Sequence, residues 1–232
     1  MKVELIKTFY AEAAHENPRE SGARGRMHGH SYRLDVVCAG ELDPERGWLM
    51  DYADIKECFR PIYEQLDHHC LNHVEGMEET HLEAVRGWIR ARIPKDFQPF
   101  HDVRVRILGD CAFKPVWLPA DDSLGLPERI GFGIEAAHHL PHVPREHQCR
   151  RLHGHSYRIE VGAENLDALE QRLRDVYDQL DHSVLNDAGG LENPTSEHLS
   201  RWIWDCVRRG GIQPTAVAIQ ETCTAGCVYR GE

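Results

Sequence analysis

None of the eight cysteines (38, 58, 70, 111, 149, 206, 223 and 227) stands in C-x-x-C spacing with another, so the sequence carries no paired-thiol signature. No apolar run approaches the roughly 20 residues that span a bilayer. The opening MKVELIKTFY lacks the long apolar stretch of a secretory leader. Positive charge is also short. With 27 Lys and Arg against 38 Asp and Glu, the formal charge is -11, which argues against general binding to nucleic acid. An anionic substrate would need a local basic pocket. These absences leave a soluble cytoplasmic chain with reduced thiols, no membrane partner and no nucleic-acid partner as the expectation.

What is abundant is histidine, sixteen in 232 residues, and metal is the commonest cause of such an excess. His153 and His155 stand one residue apart, and Cys149 lies four residues before His153. In an extended chain the two histidines share a face because side chains alternate. A third histidine from a neighbouring segment would complete a three-nitrogen site. Three protein ligands leave one position of a tetrahedral zinc open for water or substrate. Cys149 then becomes a candidate nucleophile or base.

A lone H-x-H would more often be two core histidines in a turn. Here the pattern is written twice, in order. Glu12-Ala13-Ala14-His15 recurs as Glu135-Ala136-Ala137-His138, and His28-Gly29-His30-Ser31-Tyr32-Arg33 as His153-Gly154-His155-Ser156-Tyr157-Arg158. Gln65-Leu66-Asp67-His68 recurs as Gln179-Leu180-Asp181-His182, and Trp88-Ile89 as Trp202-Ile203. The chain is a tandem duplication.

Each copy reads as strand, strand, helix, helix, strand, strand. In the first, strands are expected over 3–14, 29–39 and 103–107, with 112–118 as a partner of the last. Asp51 caps a helix carrying Ile55, Phe59, Ile62 and Leu66, and a second helix over 82–93 stops at Pro94. In the second copy, strands are expected near 130–138, 154–163, 215–221 and 225–229. Its helices fall near 167–180 and 196–208, the latter opened by Pro194-Thr195-Ser196-Glu197. The expected organisation is a first copy over 1–118, a polar linker over 119–129 and a second copy over 130–232. His30 to His68 spans 38 residues but His155 to His182 only 27, so the second copy lacks most of the segment GELDPERGWLMDYAD.

The combination C-x3-HGH, QLDHSVLN and ETCTAGCVYRGE in the second copy closely resembles the bacterial 6-carboxy-tetrahydropterin synthases of queuosine biosynthesis, within the 6-pyruvoyl-tetrahydropterin synthase family. The first copy resembles them most in GWLMDYADIKECFRPIYEQLDHHCLNH. The resemblance covers nearly the whole chain except the linker. It implies an α+β tandem T-fold, antiparallel sheets closing a barrel on oligomerisation with helices outside, and three chains forming a pseudo-hexamer. It implies a lyase that converts 7,8-dihydroneopterin triphosphate to 6-carboxy-tetrahydropterin, with loss of acetaldehyde and triphosphate.

By the same resemblance, His138, His153 and His155 are zinc ligands and Cys149 is the proton acceptor. Asp181 and His182 form an acid–imidazole relay, Glu221 anchors the pterin, and Thr195 and Thr222 line its site. His15, His28 and His30 would hold a second zinc, and Asp67 and His68 a second relay. The first copy departs elsewhere: Arg24 replaces the cysteine, His81 stands for Thr195, and Gly109 falls about where Glu221 should be. It is expected to bind zinc without catalysing. In this family the cysteine and the relay come from different subunits, so either relay could serve Cys149. A rival product is the pyruvoyl pterin. A rival class is a non-catalytic zinc or pterin scaffold, favoured by the segment missing from the second copy. Arg19, Arg26, Arg150 and Arg151 could attract a triphosphate, but exposed arginines are more often simply solvated.

Overall fold

The computed structural model describes residues 1–231. The first copy begins with two 14-residue strands, β1 (Lys2–His15) and β2 (His28–Glu41), paired antiparallel from Lys2↔Glu41 to His15↔His28. At about 3.4 Å per residue this ribbon is roughly 40 Å long. The histidines lie at one end and the segment 42–51 at the other. That segment is the one the second copy lacks, and its loss leaves the histidine end untouched.

Helix α1 (Tyr52–Tyr63) starts at Asp51, whose Oδ1 accepts from the Ala53 N–H at 2.8 Å. Its apolar face, Ile55, Phe59 and Ile62, packs with Leu34 and Val36 of β2. A short strand, β3 (His69–Cys70), follows the turn at Asp67–His68 and pairs parallel with β1. Helix α2 (Leu82–Arg92) ends ahead of Pro94, where a proline cannot continue the ladder. Strand β4 (Phe100–Ile107) completes a four-stranded sheet ordered β3-β1-β2-β4.

The next strand departs from the expected pairing. Strand β5 (Val116–Leu118) joins the second copy, pairing with β6 (Arg129–His138) through Trp117↔Ile130. The segment leading to it inserts Phe113 between Phe132 and Tyr177, with ring centroids 5.6 and 5.2 Å apart. Local alternation could not reveal this crossing, because the same apolar residues suit either sheet. The second copy continues with β7 (His153–Ala163), α3 (Leu166–Leu180), β8 (Ser183–Val184), α4 (Ser196–Arg209), β9 (Pro214–Thr222) and β10 (Ala225–Tyr229). Its sheet runs β10-β9-β7-β6-β5, with β8 on β6. Leu169, Leu173, Leu199 and Ile203 cover it from the helix side. Among the described residues no helix is long and apolar enough to cross a membrane.

The two copies meet at their repeated motifs. Pairing puts Glu12 opposite Ser31 and Ala14 opposite Gly29, on the strand face away from His15, His28 and His30. Gly29 lies directly against Gly154: a Cβ on Gly154 would stand 2.2 Å from the Gly29 Cα. Only glycine at both positions permits that approach.

Candidate active site

In the second copy, β6 ends on His138 and β7 begins on His153, paired residue to residue. Their Nε2 atoms are 3.0 Å apart. His155, two residues on, shares the face, and the three rings offer donor atoms within 4.8 Å of one another. All three are buried, and each far nitrogen has a partner. His138 Nδ1 faces the Pro194 carbonyl at 3.0 Å, His153 Nδ1 the Arg151 carbonyl at 2.8 Å, and His155 Nδ1 the Glu12 carboxylate at 2.9 Å. Burial, and after it the neighbouring imidazoles, hold His138 and His153 far below the usual imidazole range. Neutral rings with lone pairs turned inward are what a transition metal requires.

The first copy repeats the arrangement with His15, His28 and His30. His15 and His28 bring their Nε2 atoms to 3.1 Å, with Thr80 Oγ1 and the Arg26 carbonyl behind them. His30 Nδ1 reaches Glu135 of the second copy at 2.6 Å. Both triads therefore fit a metal, and both are completed from the opposite copy.

The relays are exchanged between copies as well. His68 and His182 both take left-handed backbone angles, φ 55° and 50°, which bulky residues adopt at a cost of order 1–3 kcal/mol. The reward is placement. His68, from the first copy, lies against His153 with ring centroids 4.5 Å apart, and with Cys149 and His153 it forms a further cluster of donors within 4.8 Å. His182, from the second, stacks on His28 at 4.4 Å, where Arg24 occupies the sequence position of the cysteine. The sequence left open which relay accompanies Cys149. Within the chain it is Asp67–His68.

Asp67 Oδ2 stands 3.0 Å from His68 Nδ1, and its Oδ1 accepts from the Glu12 N–H at 3.0 Å. Burial opposes ionisation of Asp67, but the His68 imidazole and the Glu12 N–H outweigh it and bring its pKa below the ordinary carboxylate range. Burial likewise opposes a charge on His68, yet Asp67 and then Cys149 push its pKa up to about 9.

Glu221, near the end of β9, borders the same triad. Its Oε1 lies 3.6 Å from His138 Nε2 and 3.7 Å from His155 Nε2, and its Oε2 accepts from Ser196 Oγ at 2.9 Å. Thr195 is the N-cap of α4, and His81 holds the corresponding place on α2. Thr222 closes β9 one residue beyond Glu221. One alignment needs correcting. Strand register sets Ile107 opposite Tyr32 and Gln220 opposite Arg158, so Ile107, not Gly109, is the counterpart of Glu221. Gly109 instead lies against Glu135, where any Cβ would collide with the carboxylate.

Three of the arginines that could attract a triphosphate are engaged elsewhere. Arg150 donates to the Pro141 and Val143 carbonyls, Arg151 to the His68 carbonyl, and Arg19 pairs with Glu79. Sequence reasoning overlooked Glu12, Glu135, Ser31 and Ser156. In the sequence they stand out only as parts of the repeat. The available signal was a charged residue kept in both copies inside an otherwise apolar strand end.

Comparison with known proteins agrees with this architecture. The family model described as 6-pyruvoyl tetrahydropterin synthase matches twice, over residues 4–109 and 129–232. A 6-carboxy-5,6,7,8-tetrahydropterin synthase of Synechocystis is 38% identical over 115 residues, covering 42% of this chain and 88% of the relative. A dihydroneopterin monophosphate aldolase of Pyrococcus furiosus is 32% identical over 96 residues, covering 41% of this chain and 79% of the relative. A second 6-carboxy-5,6,7,8-tetrahydropterin synthase, of Bacillus subtilis, is 36% identical over 77 residues, 33% of this chain and 51% of the relative. The expected lyase and α+β tandem T-fold agree with these matches. With two family matches that together span most of its length, the chain belongs to the 6-pyruvoyl tetrahydropterin synthase family.

Proposed function

We propose that the chain is a zinc-dependent 6-carboxy-5,6,7,8-tetrahydropterin synthase of queuosine biosynthesis, with one working centre assembled from both copies. The second copy contributes His138, His153, His155, Cys149, Glu221, Thr195 and Thr222. The first contributes Asp67 and His68. The observation that carries this reading is the gathering of His68, Cys149 and His153 within 4.8 Å, which sets a thiol between a metal-ligand candidate and an acid–imidazole pair.

Three buried imidazoles with donor atoms within 4.8 Å of one another suit zinc with an open position. Zinc bound there would supply Lewis acidity toward the side-chain hydroxyls of 7,8-dihydroneopterin triphosphate. Glu221 holds the guanidine-like edge of the pterin through paired N–H donors, which orients the side chain toward the centre. Cys149 takes the proton. His68 carries protons to and from the substrate oxygens, steadied by Asp67. The overall outcome, with one water consumed to supply a carboxylate oxygen, is release of acetaldehyde and triphosphate and formation of 6-carboxy-tetrahydropterin.

The His15, His28 and His30 centre is assigned zinc without catalysis, because Arg24 and Ile107 stand where a thiol and a carboxylate are needed. Three chains forming a pseudo-hexamer fit the open edges of β4 and β10. A cytoplasmic setting fits eight cysteines that are all free. A second reading, aldol cleavage of a related pterin, draws on the likeness to the dihydroneopterin monophosphate aldolase.

Incubating the zinc-loaded protein with dihydroneopterin triphosphate decides among them. Acetaldehyde together with 6-carboxy-tetrahydropterin, both abolished by Cys149→Ala, is the expected result. A pyruvoyl pterin or an aldol product would reassign the reaction. Absence of turnover would leave the scaffold.

A further inference from the structure

We infer that Glu12, a first-copy residue, is a positioning residue for His155 of the second-copy centre, so that metal binding by one half of the chain depends on a carboxylate from the other. The inference rests on the reading of His138, His153 and His155 as metal ligands. Two of those rings are steadied by backbone carbonyls of their own copy. His155 alone is steadied by an acidic side chain, Glu12 Oε2 at 2.9 Å, with both residues buried. A carboxylate on the far nitrogen keeps the proton at Nδ1, leaves the Nε2 lone pair for the metal and raises the basicity of the ring.

Glu12 is itself held on several sides. Its N–H donates to Asp67 Oδ1 at 3.0 Å, its carbonyl accepts from the His68 N–H at 2.7 Å, and its Oε2 accepts from Ser31 Oγ at 2.5 Å. One residue thus ties the relay to the ligand it faces. Ser31 and Ser156 close the arrangement, each backbone N–H donating to the other hydroxyl at 3.1 Å. The mirror pair, Glu135 and His30 at 2.6 Å, provides an internal control. This wiring gives a reason why a first copy lacking the cysteine keeps its motif: the live centre uses its glutamate and its relay.

The test is zinc competition against a chromophoric chelator on the full-length chain, fitted to two centres. Glu12→Ala is expected to weaken one centre about 10–100-fold and leave the other within about twofold. Glu12→Gln, whose carbonyl can still accept from Nδ1–H, is expected to weaken it less. Glu135→Ala should weaken the opposite centre. In a chain already carrying His28→Ala, which removes the first centre, Glu12→Ala should still weaken the one that remains. With cobalt in place of zinc, the visible spectrum of that centre should shift in both Glu12 variants.

Unchanged affinities in Glu12→Ala and Glu12→Gln would overturn the inference. So would equal weakening of both centres with a lower melting temperature of the metal-free chain, the mark of a merely structural ion pair. A wild-type chain that takes up no zinc would overturn the metal reading beneath it, an outcome distinct from either.

Discussion

At the scale of the residue, identical motifs have different surroundings. His68 shares a donor cluster with Cys149 and His153, whereas His182 stacks on His28. Asp67→Asn should therefore lower kcat by about 10²–10⁴-fold, the range of a positioned acid–base group. Asp181→Asn should cost at least about tenfold less. Steady-state kinetics on both variants measures the difference, and equal losses would remove the distinction between the relays. A second residue-scale expectation concerns Asp35, buried among Thr8 Oγ1 at 2.7 Å, Arg33 Nε at 2.9 Å and Arg106 Nη2 at 2.7 Å. Burial raises its pKa, but the hydroxyl and the two guanidinium groups prevail and hold it below the ordinary carboxylate value. A depressed folded pKa contributes stability above the unfolded value, about 3.9, and that contribution is lost as pH falls through the folded value. Denaturation followed from pH 7 to pH 2 should show wild type and Asp35→Asn converging at the acid end. Parallel curves would mean that Asp35 contributes no acid-side stability.

At the scale of the element, the glycine contact controls how the copies dock. Gly29 and Gly154 touch backbone to backbone, and backbone, unlike the end of a long side chain, cannot yield. Gly154→Ala should cost about 1–3 kcal/mol or somewhat more, the range for overpacking a close contact. It should also reduce turnover, because His68 reaches Cys149 only through that interface. Urea denaturation and kinetics on one preparation test both parts, and a fully stable, fully active variant would contradict the packing argument. The HGH spacing was legible as a strand motif in the sequence, and so was the helix start at Asp51. The destination of β5 was not. Three residues of apolar and aromatic character suit any open edge, and β6 is selected by the anchoring of Phe113 between Phe132 and Tyr177.

For the whole molecule, the decisive question is whether the centre closes within one chain. His68 and Cys149 of the same chain lie together, so mixing His68→Ala chains with Cys149→Ala chains should restore no activity beyond the sum of the two. Recovery toward half of wild type after co-refolding would place relay and thiol on different chains. Absence of such recovery would make the two copies one unit with divided labour; the long β1–β2 ribbon keeps the segment 42–51 roughly 40 Å from the histidine end. The shortened connection in the second copy changes the remote end of a strand pair without touching the centre.

The sequence by itself determined the duplication, the strand and helix order of each copy, and the candidate ligands. These follow from repeats, periodicity and spacing, which are local properties. It could not pair a particular relay with Cys149, place β5, or reveal Glu12 behind His155. Those depend on contacts between residues 143 positions apart, such as Glu12 and His155, made across an interface between two similar halves. Two near-identical motifs give a linear reading no means of telling self from partner. The choice is made by packing, where paired glycines let the backbones touch and two buried carboxylates each find the opposite copy's imidazole.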